Sequence, residues 1–192
     1  MRKTLLMIVL LAIGIAANAQ DRFIKGDVGI GGALTFGEIK SYGISASFEP
    51  KYFFNPRVSA GLRFEGDALF GGSIDAENSQ VDVNTSSRAA ILAKGEYYLS
   101  EKRNRAFIGI MGGRYTQANV GSSSSGSASI AAISTFGFAT ELGYTFNNFR
   151  VSGIYHIVPG TDQVSVSSGD PIEISRNYLV IQLGFKVFSA NL

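Results

Sequence analysis

The sequence predicts an all-β chain folded as an eight-stranded antiparallel up-and-down transmembrane β-barrel, with lipid outside and a polar lumen inside. Three observations predict it. Apolar and polar side chains alternate with a period of two, segment after segment, from Tyr42 to the C-terminus. The connections between these segments alternate between short and long, apart from a compact first loop at Gly37 to Ser41, an asymmetry of membrane barrels. A secretion signal precedes the first segment.

The signal comes first in chain order. Arg2 and Lys3 form a basic n-region, Leu5 to Ile15 is apolar apart from Gly14, and Ala17-Asn18-Ala19 supplies small residues at −3 and −1 of a cleavage site. The cut falls before Gln20, so residues 1–19 are read as a signal peptide and 20–192 as one barrel domain. The apolar run is shorter than the roughly 20 residues of a membrane-spanning helix.

The first strand, Phe23 to Phe36, is Gly-rich and less regular than the rest. The second, Tyr42 to Phe54, is the clearest. Tyr42, Ile44, Ala46, Phe48, Pro50, Tyr52 and Phe54 share one face, and Gly43, Ser45, Ser47, Glu49 and Lys51 the other. Asn55-Pro56 is a turn dipeptide. The third strand starts near Arg57, with Val58, Ala60, Leu62 and Phe64 opposite Ser59, Gly61, Arg63, Glu65 and Asp67. In the fourth, Arg88 to Leu99, Ala89, Ile91, Ala93, Tyr97 and Leu99 oppose Arg88, Lys94, Glu96 and Tyr98.

The fifth strand, Ala106 to Gln117, has an ambiguous parity. Ile108 and Ile110 share a face with Arg114, while Phe107, Met111 and Tyr115 share the other. The aromatic face is expected to point outward. In the sixth, Ser134 to Phe146, Phe136, Phe138, Leu142, Tyr144 and Phe146 oppose Gly137, Ala139, Glu141 and Gly143. Asn147-Asn148 is a tight turn into the seventh, Phe149 to Val158, where Phe149, Val151, Tyr155 and Ile157 oppose Arg150, Ser152 and His156. In the eighth, Asn177 to Val187, Leu179, Ile181, Leu183, Phe185 and Val187 oppose Gln182 and Lys186.

Asn55-Pro56, Ser100 to Asn104 and Asn147-Asn148 are the short connections; 71–87, 118–129 and 159–176 are long and polar. Short turns face the periplasm in such barrels, and long loops face outward.

A soluble barrel would alternate too, with its apolar face lining a ligand cavity. The aromatics near strand ends (Tyr42, Tyr52, Phe54, Phe107, Tyr144, Phe146 and Phe149) instead suit an interfacial girdle. Charges of both signs on the polar faces are expected to pair across a narrow interior: Arg63, Glu65, Asp67, Arg88, Lys94, Glu96, Glu141, Arg150 and Lys186. Eight strands enclose an interior that side chains just fill, so this set is expected to plug the lumen rather than gate a pore.

Composition excludes several chemistries. Without Arg2 and Lys3 the 17 basic residues fall to 15, against 15 acidic ones, which leaves no basic field for nucleic acid. The absence of Cys removes disulfides, thiolate metal sites and Cys nucleophiles. One His, His156, leaves few options for zinc, and no cofactor is expected. As a catalytic base His156 would need a nucleophile in reach, and Ser152, four residues back on the same face, is about 13 Å away along a strand. Asp75, Glu77 and Asp82, and Asp162, Asp170 and Glu173, match no EF-hand spacing and read as solvated loop acids. Gly29-x-Gly31-Gly32 precedes no helix and is no nucleotide fingerprint.

With these features the chain resembles the small outer-membrane β-barrels of the OmpA transmembrane-domain and OmpX class, and more narrowly the Bacteroidetes-type outer membrane protein beta-barrel domain. The carriers are the Ala19-Gln20 cleavage, Gly-aromatic strands such as Phe136-Gly137-Phe138, and the closing Leu183-Gly184-Phe185-Lys186-Val187-Phe188. In the last, Phe185, Val187 and Phe188 look like the C-terminal signal read by the barrel assembly machinery. The chain departs from the pattern by continuing through Ser189-Ala190-Asn191-Leu192, either as a short periplasmic extension or because recognition is looser.

The resemblance implies a bacterial outer-membrane location and a fold, and no activity. The expected role is structural or interactive: envelope integrity, or adhesion through the outer loops. A narrow channel for small polar solutes is the second reading and a lipid-modifying enzyme the third. The expected partners are outer-membrane lipid, the assembly machinery and an extracellular partner at loops 71–87, 118–129 and 159–176. The barrel is expected to be a monomer.

Overall fold

Alternating side chains need a partner strand on each side. The chain supplies them in order: Phe23–Thr35 (β1), Tyr42–Asn55 (β2), Val58–Phe70 (β3), Ser73–Ala76 (β4), Ser79–Asp82 (β5), Ser86–Tyr98 (β6), Arg105–Ser122 (β7), Ala128–Phe146 (β8), Phe149–Ile157 (β9), Thr161–Val164 (β10), Ile172–Ser175 (β11) and Tyr178–Asn191 (β12). The computed structural model describes residues 23–35, 41–70, 73–76, 79–82, 86–122, 128–164 and 172–191. The signal segment lies outside the described residues.

Eight of the strands close into one barrel in the cyclic order β1-β12-β9-β8-β7-β6-β3-β2, every neighbour antiparallel. β4 with β5, and β10 with β11, form separate two-stranded ribbons. Closure leaves the barrel without an unpaired strand edge, the condition for crossing a bilayer with strands.

The register fixes the barrel's geometry. The row from Lys25 runs through Lys51, Gly61, Lys94, Met111, Ala139, His156 and Tyr178 and returns to β1 at Thr35. Lys25 to Thr35 is a shear of ten residues. With about 3.3 Å per residue and about 4.8 Å between strands, that shear tilts the strands by about 40°.

The outer wall is apolar. Ile30 is 60 % exposed, Leu142 65 % and Ile110 73 %, values that only a lipid environment makes favourable for side chains of this size. Aromatics gather at the short-turn end: Tyr52, Phe54, Tyr97, Tyr144, Phe146, Phe149, Phe185 and Phe188. Tyr42 and Phe70 stand at the opposite end, paired across β2 and β3. Phe54 to Tyr42 covers roughly 30 Å of axial height at this tilt, which matches an apolar band of about 25 Å with its girdles.

Turn chemistry seats the hairpins. The Asn55 side-chain oxygen accepts from the backbone N–H of Arg57 (2.8 Å) and of Val58 (2.9 Å). Asn147 takes a left-handed φ of 53°, which Asn tolerates, and its N–H donates to Asn104 Oδ1 at 3.1 Å.

Four expectations are corrected. The fifth predicted strand, now β7, has the opposite parity: Phe107, Met111 and Tyr115 are buried in the lumen, and Ile108, Ile110 and Arg114 face out. Phe107 therefore leaves the girdle. Its ring packs on Tyr98, with centroids 5.5 Å apart, inside the barrel. Neither face of β7 is polar enough to choose, and its neighbours decide: the small interior Gly143 sits opposite Phe107 and leaves room for the ring.

The long connections are only partly loop. β7 and β8 continue as a paired ribbon to Ser122 and Ala128, and β4–β5 and β10–β11 are ribbons within 71–87 and 159–176. Small and β-branched residues, as in Ser129-Ile130-Ala131-Ala132-Ile133, suffice for pairing once the barrel brings the strands together. The side chains of Asp75, Glu77, Asp82, Asp162, Asp170 and Glu173 lie outside the described residues.

The C-terminal extension is strand: Ala190 pairs with Ile24 and Asn191 with Phe23. A bulge accommodates it. Gly26 pairs with Phe188 and Asp27 with Lys186, so Val187 is the extra residue, and Val187 and Phe188 both face outward. A Cβ on Gly26 would meet the Phe188 ring at 2.0 Å, so Gly26 is the seat on which this ring lies.

The lumen, finally, is polar only in part. At the long-ribbon end Ala33, Leu69, Ala90, Leu92, Ile154 and Val180 form an apolar layer with Met111, Tyr115 and Tyr178. Runs such as Ile91-Leu92 and Leu179-Val180-Ile181 are apolar on both parities and serve lipid and lumen at once.

Candidate functional site

The middle of the lumen is a layer of buried charge. Its side chains come from seven of the eight barrel strands: Asp27 on β1, Glu49 and Lys51 on β2, Arg63 and Glu65 on β3, Lys94 and Glu96 on β6, Glu141 on β8, Arg150 on β9 and Gln182 on β12. β7 contributes room instead. At Gly109 a Cβ would stand 3.4 Å from Glu141 Cβ.

Each cation meets more than one carboxylate. Lys94 Nζ lies 2.8 Å from Glu49, 2.9 Å from Glu96 and 2.5 Å from Glu141. Arg150 donates to Glu96 and Glu141, both at 2.6 Å, and reaches Glu49 at 3.4 Å. Lys51 pairs with Asp27 (2.8 Å), Glu49 (3.2 Å) and Glu96 (3.2 Å). Arg63, fully buried, donates to Glu49 and Glu65 and, at 2.9 Å, to Gln182 Oε1. Neutral donors complete the set: Tyr98 OH and Ser59 Oγ donate to Glu96 (2.8 and 3.1 Å), and Tyr178 OH to Glu65 (3.1 Å).

The arrangement is near charge balance, four cations against five carboxylates. Isolated charges here would cost several kcal/mol each, so multiple pairing is what allows them inside. Between Glu49, Lys51, Lys94 and Glu96 no space remains for a water molecule. Below the charges, towards the short turns, Phe53, Tyr98 and Phe107 form an aromatic layer, with Phe23 stacked on Phe53 at 4.4 Å. Arg150 lies over the Phe107 ring at 4.0 Å and joins the two layers.

Three residues of the sequence-derived set stand apart. Asp67 is buried above the network, near Ser45 and Tyr178. Arg88 reaches the Arg176 carbonyl at 3.4 Å and covers the Tyr178 ring at 4.9 Å, capping the apolar layer. Lys186 lines the mouth at the short-turn end. Asp27, Glu49, Lys51 and Gln182 are the members the sequence-derived set lacked. The parity of β2 already put Glu49 and Lys51 on the inner face; Asp27 was hidden by the weak alternation of β1.

His156 is fully buried. Its ring stacks on Tyr178 at 4.1 Å, Nδ1 lies 3.0 Å from Tyr115 OH, and Nε2 lies 3.3 Å from Glu65 Oε1. The imidazole thus ties the apolar layer to the charges.

A closed eight-stranded barrel with an apolar exterior, an aromatic girdle at the short-turn end and a charge-filled mid-lumen defines a class: the small outer-membrane β-barrels. The lipid-facing belt is the physical requirement of that location. Solved structures bear the same fold. Neisserial surface protein A (NspA) is similar at a TM-score of 0.53 and 12 % identity, over 86 % of this chain and 96 % of that one. Ail, the attachment invasion locus protein of Yersinia pestis, gives 0.51 and 12 % over 87 % and 99 %. OprG of Pseudomonas aeruginosa gives 0.50 and 12 % over 88 % and 96 %. No family model matches the sequence, and no curated protein matches it.

Proposed function

We propose that the protein is a closed, non-conducting barrel of the outer membrane. In this reading it acts as a structural element of the envelope and presents a contact surface on its outer ribbons. The observation that carries the reading is the buried network of Lys51, Arg63, Lys94 and Arg150 with its carboxylates, stacked on the aromatic layer of Phe53, Tyr98 and Phe107. Ion transfer would have to break several of these pairs at once, and between Glu49, Lys51, Lys94 and Glu96 there is no room for water to take their place. His156 is assigned a packing role, because its nearest groups are Tyr115, Tyr178 and Glu65.

The surface role is supported by the extended β7–β8 ribbon and the two smaller ribbons at the same end. Two proteins of the same fold are named for surface exposure and for attachment. Planar-bilayer recording of the refolded chain tests the closed lumen: a flat baseline is expected, and reproducible conductance steps would replace this reading with a narrow channel. The absence of Cys makes the topology testable as well. Ser125→Cys is expected to react with a membrane-impermeant maleimide on intact cells, and Lys102→Cys only after the outer membrane is permeabilised.

A further inference from the structure

The charges in mid-lumen and those at the short-turn mouth obey different rules. In mid-lumen Lys51, Arg63, Lys94 and Arg150 each touch at least two carboxylates. At the mouth Lys25, Arg105 and Lys186 line one cavity of about 270 Å³. Among the described residues none of these three has a carboxylate within 4 Å. Lys25 Nζ instead sits 4.7 Å from the ring centroids of both Phe23 and Phe53. Arg105 lies over Tyr98 at 4.0 Å and donates to the Pro56 carbonyl at 2.5 Å and the Ser100 carbonyl at 3.4 Å. Around Lys25 the positive charges of Arg105, Lys186 and Lys51 outnumber the one negative charge, that of Asp27. Of the two acids in the wall, Asp27 is taken by Lys51 at 2.8 Å and Glu101 by Arg57 at 3.0 Å.

Ring faces and two carbonyls offset such charges only weakly next to a carboxylate. Half-buried like charges converging on an open cavity leave an unfilled requirement for an anion. Asn147 and Asn148, in the turn at the rim of the same cavity, can add hydrogen-bond donors. A cavity of this size holds a small head group and is too small for a folded partner. Its position at the short-turn end places it at the level of the inner-leaflet head groups and the periplasm.

We propose that this mouth is an anion site for a phosphate monoester or diester, held by Lys25, Arg105 and Lys186. The phosphate can come from a soluble ester or from an anionic lipid head group of the inner leaflet. Solvation draws a soluble ester out of the site, whereas a lipid presents its phosphate at the rim at high local concentration.

The test uses amide chemical shifts of Lys25, Asn147, Asn148 and Lys186 in the refolded full chain at constant ionic strength. One arm titrates inorganic phosphate and glycerol 3-phosphate in octyl glucoside micelles, which contain no phosphate. The second compares nanodiscs with and without phosphatidylglycerol. Saturable shifts confined to the mouth in the first arm identify a soluble ester, and shifts in the second arm alone identify the lipid head group. In either case K25Q/K186Q, still folded by its gel mobility on heating, is expected to weaken the response about tenfold or more. K186Q alone, at the rim, serves if the double variant does not fold. The proposal is overturned if neither arm shifts the mouth residues, or if the folded variants respond as the native chain does.

Discussion

Lys94 is the side chain whose removal tests the lumen network most directly. Its ammonium touches Glu49, Glu96 and Glu141. Replacement by Met keeps most of the volume and the apolar stem and deletes the charge. Glu49 would retain Lys51, Arg63 and Arg150, and Glu96 would retain Lys51 and Arg150. Glu141 would be left with Arg150 alone. Breaking a buried pair by removing one partner costs ~3–5 kcal/mol, mostly through the uncompensated charge that stays behind. Lys94→Met is therefore expected to lower stability by that amount. Lys94→Met/Glu141→Gln, which also neutralises the most orphaned carboxylate, is expected to recover about half, a coupling of roughly 2 kcal/mol. The chain has no Trp, so urea titration is best read as the fraction that keeps folded, heat-modifiable gel mobility. A Lys94→Met cost below about 1 kcal/mol, or a double variant no better than the single one, would refute the reasoning. The lumen charges would then be solvated and independent, and a conducting lumen would regain its case.

Three further outcomes follow from individual contacts. Gly26→Val drives a Cβ into the Phe188 ring (2.0 Å in place), so the bulge on β12 cannot form as built, and slower refolding into vesicles with a lower urea midpoint is expected. Phe107→Ala removes a fully buried ring from the aromatic layer and is expected to cost about 3–5 kcal/mol in the same titration; an effect near zero would return Phe107 to the lipid face. On the outer wall of β7, Ile110→Arg at mid-belt is expected to destabilise by about 2–4 kcal/mol, whereas Arg114→Leu, nearer the interface, is expected to change stability by less than about 1 kcal/mol; equal effects would mean that the belt is misplaced.

Parity made most of the architecture legible. On β2, β3, β6, β8, β9 and β12 one face is apolar along its length and the other carries the charged and small residues of the mid-lumen, with apolar residues such as Leu92 and Val180 towards the long-ribbon end. β7 failed because both its faces are apolar enough for lipid, so only the ring-sized space opposite Gly143 settles where Phe107 points. The ends of the strands were less legible than their middles. Ser189-Ala190-Asn191 lacks an apolar pattern and pairs because Phe23 and Ile24 offer an open edge beside it.

The partners inside the lumen were illegible for a different reason: they depend on the shear. In register, Lys94 lies level with Lys51 two strands away on one side and with Ala139 two strands away on the other. A sequence reader who paired residues along these rows would set two lysines against each other. A shear of ten over eight strands displaces the horizontal plane by about 1.25 residues per strand, or about 2.5 over two strands. The residues level with Lys94 are therefore those two positions along, which are Glu49 on β2 and Glu141 on β8, the two it touches. Side chains on one strand face recur every second residue, so a displacement near two positions keeps both acids inside the lumen while changing the sign of the partner. Lys94 is paired correctly at a shear of about eight to ten, where the plane shifts by about two positions over two strands. At a shear near zero the same sequence would bury Lys94 beside Lys51, a repulsion that helps this chain exclude other barrel registers.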